Sequence, residues 1–246
     1  MFDSEAGSFK TYDLLANSPN YVKFGIDEGT YVTDMDVGPD NTAYVTRMNI
    51  AAVTVVDLGS GAISEIPVAG TSGALFEVAV ADKSVFLANW SSSGGTRVVR
   101  LTGDEAVELA AGSLLALAGA AGRVYTLAAD GTVTGYGADS TAALSEKRIP
   151  EAMMGESLGV DPGGGAIWAA GESSTLSKWD PRTGQTRTFQ LPVYFVPGNV
   201  MRCPVGAKCE GATMYTKVSG IAVSPNGDVY FSDSTMNRIG VIKSGQ

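Results

Sequence analysis

One short phrase recurs along the chain, and this repetition limits the fold more than any other feature of the sequence. In its clearest copy, VSGIAVSPNGDVYFSD at 218–233, two apolar runs flank a turn containing Pro, Asn and Gly, as in a β-hairpin. Four other stretches align with this copy, each with one aromatic residue in its second run. The five aromatic residues are Tyr44, Phe86, Tyr125, Trp168 and Tyr230.

The spacing of these aromatic residues predicts the architecture. Successive members lie 42, 39, 43 and 62 residues apart. A period of about 40 residues with about four short strands per repeat is typical of a β-propeller blade, and such sheets bury their faces by stacking. The sequence therefore predicts an all-β fold, a single β-propeller domain over 1–246 with five blades of four antiparallel strands. A sixth blade would require a degenerate repeat within 190–217 or 16–31.

Two departures from the repeat indicate how the propeller closes and where it binds. One strand follows the last hairpin, at 238–245, while the chain begins with an outer-strand phrase, FKTYDLL, at 9–15. We therefore expect the N-terminal strand to pair with the C-terminal blade, which removes exposed strand edges. Insertions at 16–31 and 193–217 both connect outer to inner strands, which predicts that they share one face. Long loops on a rigid scaffold usually carry the binding site.

Charge excludes several classes of partner. The chain has 17 Lys and Arg residues against 26 Asp and Glu residues, a formal net charge of −9. This charge opposes binding to nucleic-acid phosphates and to anionic membrane surfaces. The most apolar run, at 109–122, is shorter than the roughly 20 residues that span a bilayer. We expect no nucleic-acid partner, no membrane insertion, and a monomer unless the chain is part of a larger assembly.

The two cysteines, Cys203 and Cys209, lie close together in a loop containing Gly and Pro. This spacing favours a local disulfide, with two reduced thiols as the alternative. A disulfide would indicate an oxidising compartment, so we expect an extracellular or periplasmic protein. With no histidine in the chain, two thiolates make an incomplete zinc site, and haem attachment through CxxCH is excluded. The glycine-rich stretch 161–166 joins two strands, so we expect no nucleotide cofactor.

Carboxylates occur in the predicted inner strands at or beside positions where other repeats have small residues. The candidates are Asp34, Asp36, Glu77 and Glu156. Several carboxylates converging at a channel mouth would suit Ca²⁺ or Mg²⁺, whose ligands are oxygens. The alternative is that they line a water-filled channel or accept backbone hydrogen bonds from neighbouring blades.

A second candidate set follows the predicted second strands of the blades. Arg47, Asn89 and Asp233 occupy equivalent positions, and Glu172, Trp90 and Tyr194 lie near this series. Together they predict a polar and aromatic pocket for a sugar or another small polar ligand. The alternative is a solvated rim in which Asp233 stabilises its own turn.

The phrases WDPRTGQTRTFQLP at 179–192 and GIAVSPNGDVYFSDSTMNRIGVI at 220–242 resemble the streptogramin (virginiamycin B) lyase family and, more broadly, NHL-type propellers. The resemblance implies the propeller fold. In that family a histidine, a glutamate and a magnesium ion open a cyclic depsipeptide by elimination. The chain contains no histidine, so no residue corresponds to that catalytic group, and we do not expect a lyase of this type.

These observations predict a binding propeller that recognises a small molecule, a carbohydrate or a protein on the face bearing the long loops. Two alternatives stay open. One is a metal-dependent lyase or lactonase-like hydrolase using a divalent ion at the channel mouth. The other is a structural module of a larger surface protein. No serine has a histidine base, so the residues name no catalytic group and enzymatic activity is not the leading expectation.

Overall fold

The computed structural model describes residues 2–3, 8–9, 11–14, 18–22, 30–71, 75–90, 95–102, 105–171, 174–196 and 212–245. Apart from a 3-10 turn at Pro150–Ala152, every regular element in these ranges is a β-strand. None of the described elements is a helix long and apolar enough to cross a membrane. Strands that follow one another in the chain pair into antiparallel sheets, which is the blade pattern of a propeller. The predicted fold class, an all-β propeller with five blades, is confirmed.

The chain divides into two compact units, residues 1–111 and 112–246. The first unit holds a short pairing and two four-stranded sheets, blades 1 and 2. The short pairing joins β1 (Phe2–Asp3) and β2 (Ser8–Phe9). Blade 1 comprises β3 (Val32–Val37), β4 (Thr42–Arg47), β5 (Ala52–Asp57) and β6 (Ile63–Pro67). Blade 2 comprises β7 (Leu75–Ala81), β8 (Ser84–Trp90), β9 (Thr96–Thr102) and β10 (Glu105–Gly112).

The second unit holds blades 3, 4 and 5 and a two-stranded ribbon between the last two. Blade 3 comprises β11 (Leu114–Ala120), β12 (Arg123–Ala128), β13 (Thr132–Gly137) and β14 (Ala143–Arg148). Blade 4 comprises β15 (Leu158–Val160), β16 (Ile167–Gly171), β17 (Thr175–Trp179) and β18 (Thr186–Gln190). The ribbon pairs β19 (Val193–Val196) with β20 (Ala212–Tyr215). Blade 5 comprises β21 (Val218–Val223), β22 (Val229–Asp233) and β23 (Arg238–Ile242).

The described strand pairings differ from the predicted closure. Ser8–Phe9 pairs with Phe2–Asp3, and the Tyr12 hydroxyl donates to the Leu58 carbonyl at 3.3 Å, which places residues 11–14 against blade 1. Blade 5 has three strands among the described residues, and none of those residues pairs with the outer edge of β23. The phrase at 9–15 was predicted to be an outer strand from its composition. Composition does not specify which strand it pairs with.

Apolar side chains of adjacent blades interlock within each unit. Blades 1 and 2 share a cluster that includes Val53, Leu75 and Leu87, and blades 3 and 4 share one around Tyr125 and Trp179. A third cluster joins blades 4 and 5 through Trp168, Leu176, Leu191, Val218, Val229 and Phe231. Each interface covers one face of a blade, as stacked sheets require.

The five repeated aromatic residues are not equally buried. Phe86, Tyr125 and Trp168 are buried and Tyr44 is half-buried, whereas Tyr230 is 40% exposed. Tyr230 lies in β22 opposite Val241 of β23, which is also exposed. Tyr230 and Val241 of blade 5 are therefore more exposed than the equivalent aromatic residues of blades 2, 3 and 4.

Candidate functional site

Arg47, at the end of β4, is buried and fully engaged. Its Nε donates to Thr54 Oγ1 at 3.0 Å, one Nη donates to the Leu14 carbonyl, and the other forms an ion pair with Glu65. Glu65 also accepts hydrogen bonds from Ser18 Oγ at 2.7 Å and from the side-chain amide of Asn20 at 2.6 Å. Arg47 therefore fastens the segment before blade 1 to that blade.

Asn89 occupies the equivalent position at the end of β8 and is buried as well. Its Oδ1 accepts a hydrogen bond from Arg97 Nε at 3.0 Å, while its Nδ2 has no hydrogen-bond partner among the described residues. The guanidinium of Arg97 also donates to the carbonyl of Gly70. Trp90, the next residue, is exposed, and its ring centroid lies 5.8 Å from that of Phe76.

Asp233, at the end of β22, is the third member of this series. Its side chain is 2% exposed; Oδ1 accepts from the backbone amides of Thr235 and Met236 at 3.1 and 3.3 Å. Oδ2 accepts from Arg238 Nε at 3.4 Å. Asp233 therefore stabilises its own turn, which was the alternative interpretation of this position.

The series shares one structural role that the sequence alignment did not show. Each member bonds to a side chain on the next strand of its own blade; the partners are Thr54, Arg97 and Arg238. The three positions tie the second strand to the third, and the bonds matter because a buried polar group without a hydrogen-bond partner is costly. The three positions are equivalent in the strands of their blades, as the alignment predicted. Their side chains form hydrogen bonds within their own blades.

A cleft of about 510 Å³ lies between β18 and β23 in the second unit. Tyr194 of the ribbon and Asp233 both line it, so the structure brings these two predicted residues together. The residue that joins them is Arg238, whose guanidinium carbon lies 4.2 Å from the centroid of the Tyr194 ring and whose Nε bonds to Asp233. Phe189 and Leu191 form the opposite, apolar wall.

Arg238 was missed by the sequence reasoning. The signal that could have found it is a cation five residues after the turn aspartate, at the start of the next strand, where a hairpin brings the two side chains together. Of the other predicted pocket residues, Arg47, Asn89 and Trp90 belong to the first unit, and Glu172 lies outside the described residues.

The carboxylates of Asp34 and Asp36 bind backbone amides. Asp34 accepts from Val78 N and Asp36 from Val80 N, at 2.8 and 2.7 Å, and in each case the second oxygen accepts from the following residue of β3. Burial raises the pKa of both carboxyl groups above the ordinary value, and these backbone hydrogen bonds oppose the rise. The pair joins the inner strands of blades 1 and 2, as the backbone-bonding alternative predicted.

The other metal candidates are placed differently. Glu77 is half-buried in β7, opposite Ala88, and the exposed side chain of Glu156 forms an ion pair with Lys217 at 3.0 Å. Within the described ranges, no group of three or more Asp, Glu, Cys or His residues is placed to hold a metal ion. Cys203 and Cys209, the predicted disulfide partners, lie outside the described residues.

Comparison with known proteins shows a β-propeller fold and no particular family. No family model and no curated protein matches the sequence. A chain in the crystal structure of the mitotic checkpoint complex is similar, with 14% identity and a TM-score of 0.59, covering 98% of this chain and 79% of that one. A chain in the crystal structure of a nidogen/laminin complex is also similar, with 11% identity and a TM-score of 0.59. The match covers 86% of this chain and 75% of that one.

The WD40 β-propeller domain of Doa1 is similar as well, at 13% identity and a TM-score of 0.61, covering 84% of this chain and 62% of that one. At these identities the likeness is one of fold alone. The chain has a β-propeller fold, and the comparisons show no narrower family.

Proposed function

We propose that this chain is a binding propeller that recognises a protein partner through the cleft between β18 and β23. The observation that carries the proposal is the arrangement of Arg238, which stacks on Tyr194 and is held by the buried carboxylate of Asp233. An arginine carries five N–H donors in a fixed fork, and its side chain here is 48% exposed. Arginine and tyrosine anchors of this kind are enriched at the centres of protein interfaces.

The walls of the cleft support a protein ligand over a sugar. Sugars stack on an open aromatic face, whereas the Arg238 guanidinium covers one face of the Tyr194 ring. Phe189 and Leu191 supply apolar wall opposite the charged group, and this mixture suits a peptide segment. Two of the similar chains come from crystal structures of complexes, which agrees with a protein partner.

The alternative functions receive less support from the described residues. A metal-dependent lyase or hydrolase needs carboxylates free to bind an ion, and those of Asp34 and Asp36 each accept two backbone hydrogen bonds. The finer resemblance to streptogramin lyases or NHL propellers stays a prediction within the propeller class.

The proposal is tested by selection from a displayed library of random peptides with the full chain as bait, followed by affinity measurement for the selected peptides. We expect Arg238→Gln to weaken binding at least about tenfold, because a charge-assisted hydrogen bond is lost. Arg182→Gln is the matched control, since it removes the same charge from an exposed turn of blade 4. Equal affinities for the Arg238→Gln variant and the wild type, or no selected peptide at all, would overturn the proposal.

A further inference from the structure

We infer that the cleft takes its partner as an added β-strand: an extended segment with alternating apolar residues and acidic ends pairs with the outer edge of β23 and acts as the fourth strand of blade 5. This inference rests on the proposed function and specifies the class of partner. Three features of the second unit carry it, namely the backbone of β23, its burial compared with other blades, and its charge.

The hydrogen-bond register fixes which backbone groups of blade 5 face outward. Ser224 N donates to the Asp228 carbonyl at 2.9 Å across the turn, and in an antiparallel ladder hydrogen-bonded pairs recur at every second residue. Residues 229, 231 and 233 therefore bond to β23, through their partners at 242, 240 and 238. The N–H and C=O groups of Ile239 and Val241 consequently point to the outer edge, where no described strand pairs with them.

Burial shows that this edge differs from its equivalents. The third strands of blades 3 and 4, β13 and β17, are almost entirely buried, and each is paired along its length with a fourth strand. In β23 the pattern is reversed, since Ile239 is 69% exposed and Val241 is exposed too. Exposed apolar residues along an unpaired strand edge are a template for strand addition.

The cleft lies where a fourth strand would run. Its walls are β23 on one side and the Phe189–Pro192 stretch of blade 4 on the other. Gly240 has no side chain, and the Phe231 ring fills the space that a Cβ there would occupy. A side chain of an added strand opposite Gly240 would therefore pack against the Phe231 ring, which lines the cleft.

Charge complementarity selects an acidic segment. The exposed cations flanking this edge are Arg238 and Lys243, each held by a buried carboxylate, Asp233 and Asp228 respectively. The Cα atoms of residues 238 and 243 are about 17 Å apart at the rise of a β-strand. Acidic residues five positions apart on the added strand would meet both, which is favourable for a partner with local negative charge even though the chain itself carries −9.

The test uses the full chain and a library of ten-residue peptides with Glu at two positions five residues apart and alternating Val, Ile, Thr or aromatic residues between them. Binding is measured by fluorescence anisotropy. The best peptide is then remade with single backbone N-methyl groups at successive positions. Strand addition predicts that methylation weakens binding about tenfold or more at every second residue and has little effect at the residues between, because only alternate N–H groups face β23.

Two protein variants complete the design. Val241→Pro removes an outward N–H that blade 5 does not use, and should abolish binding with little loss of stability, whereas Val241→Thr keeps the N–H and should bind. Binding that depends on Arg238 but shows no alternation with N-methylation overturns strand addition and leaves the proposed function standing. Binding of no peptide overturns both.

The outer edge of β23 has two other possible occupants, a segment of this chain and a second copy of it, and further measurements distinguish them from an acidic partner. A synthetic peptide of residues 9–15 of this chain is added as a competitor; if it binds at this edge and the acidic library does not, the occupant is the chain's own segment and the inference fails. If sedimentation shows a concentration-dependent dimer that Val241→Pro dissociates, the occupant is a second copy, and the inference fails in that case too.

Discussion

Asp36 of blade 1 accepts a hydrogen bond from the backbone amide of Val80 in blade 2, at 2.7 Å. Asp34 repeats the contact two residues earlier with Val78 N at 2.8 Å. The inner edge of β7 has amides that no strand of its own sheet can pair, and these carboxylates satisfy two of them. A pair of aspartates thus replaces a strand as the hydrogen-bond partner of an edge.

This arrangement predicts a pH dependence for Asp36. Burial holds its folded-state pKa above the ordinary value of 3.8, so the folded state binds the proton more tightly than the unfolded chain does. The contribution of this group to stability is therefore fully present below pH 3.8 and is lost as the pH rises through the folded pKa. We expect Asp36→Asn to show a smaller fall in unfolding free energy from pH 3.5 to 6 than the wild type, measured by urea denaturation. The same pH slope in both proteins would contradict the assignment.

The contribution of Asp228 to stability should depend on pH in the opposite direction. The side-chain hydrogen bond from Lys243 at 2.8 Å, with the amide of Ser244, lowers the pKa of Asp228 below 3.8. Its stabilising contribution is present above that value and is lost as the pH falls through the folded pKa. Asp228→Asn should thus be less stable than the wild type at pH 7, with the difference shrinking in acid. A difference that is constant from pH 7 to 2 would show that the interaction does not depend on the charge.

The buried ion pair of Arg47 and Glu65 predicts a large loss on removal of one partner. In Arg47→Met, Glu65 keeps its bonds to Ser18 and Asn20 but loses its counter-charge in a buried site, a change that typically costs about 3–5 kcal/mol. Urea unfolding measures this loss. Arg182→Met is the control, because that arginine is exposed and its pair with Asp180 is screened by solvent, so its loss should change the stability little.

A second readout locates the effect of Arg47. Its guanidinium donates to the Leu14 carbonyl, so the same substitution should expose residues 11–14 and 18–22 to proteolysis at a protease concentration that leaves the wild type intact. The double variant Arg47→Met/Glu65→Leu removes both charges and should recover much of the lost stability. If the double variant is as unstable as the sum of the single variants, the two side chains do not act as a pair.

The fold could be predicted from the sequence because its signal is periodic and local. Phe86, Tyr125 and Trp168 recur in equivalent strands, and the structure buries all three. The site could be predicted from the sequence only in part, for a physical reason. Arg47, Asn89 and Asp233 were correctly aligned, yet the partner on the next strand is a threonine for Arg47 and an arginine for the other two, and a repeat does not encode that choice.

The contact between Tyr194 and Arg238 has no periodic signal at all. It joins residues 44 positions apart and depends on the ribbon that interrupts the repeat. Insertions of this kind are positioned by packing against the scaffold, so their contacts follow from tertiary structure and not from local sequence. The insertion could be found in the sequence, whereas its partner could not.

Substitution of Gly155 should strongly destabilise the second unit. A Cβ at this position would lie 1.6 Å from the backbone carbonyl oxygen of Ala170, a contact that no side-chain rotation relieves. We expect Gly155→Ala to destabilise the fold by about 1–3 kcal/mol or more, because the 3-10 turn must move away from β16. Gly163→Ala is the matched control, since nothing lies within 4 Å of its Cβ, and thermal denaturation compares the two. Equal melting temperatures would contradict the close approach.

Gly240 links the packing of blade 5 to the cleft. A Cβ there would lie 2.1 Å from Cζ of Phe231, whose ring is buried in the interface between blades 4 and 5. Gly240→Ala should therefore cost about 1–3 kcal/mol by overpacking, and Phe231→Leu should cost a similar amount by leaving a cavity. Because the smaller leucine makes room for the new methyl group, the double variant should be more stable than the sum of the two losses implies. A double-mutant cycle in urea measures this coupling, and additive losses would show that the ring and the glycine are not in contact.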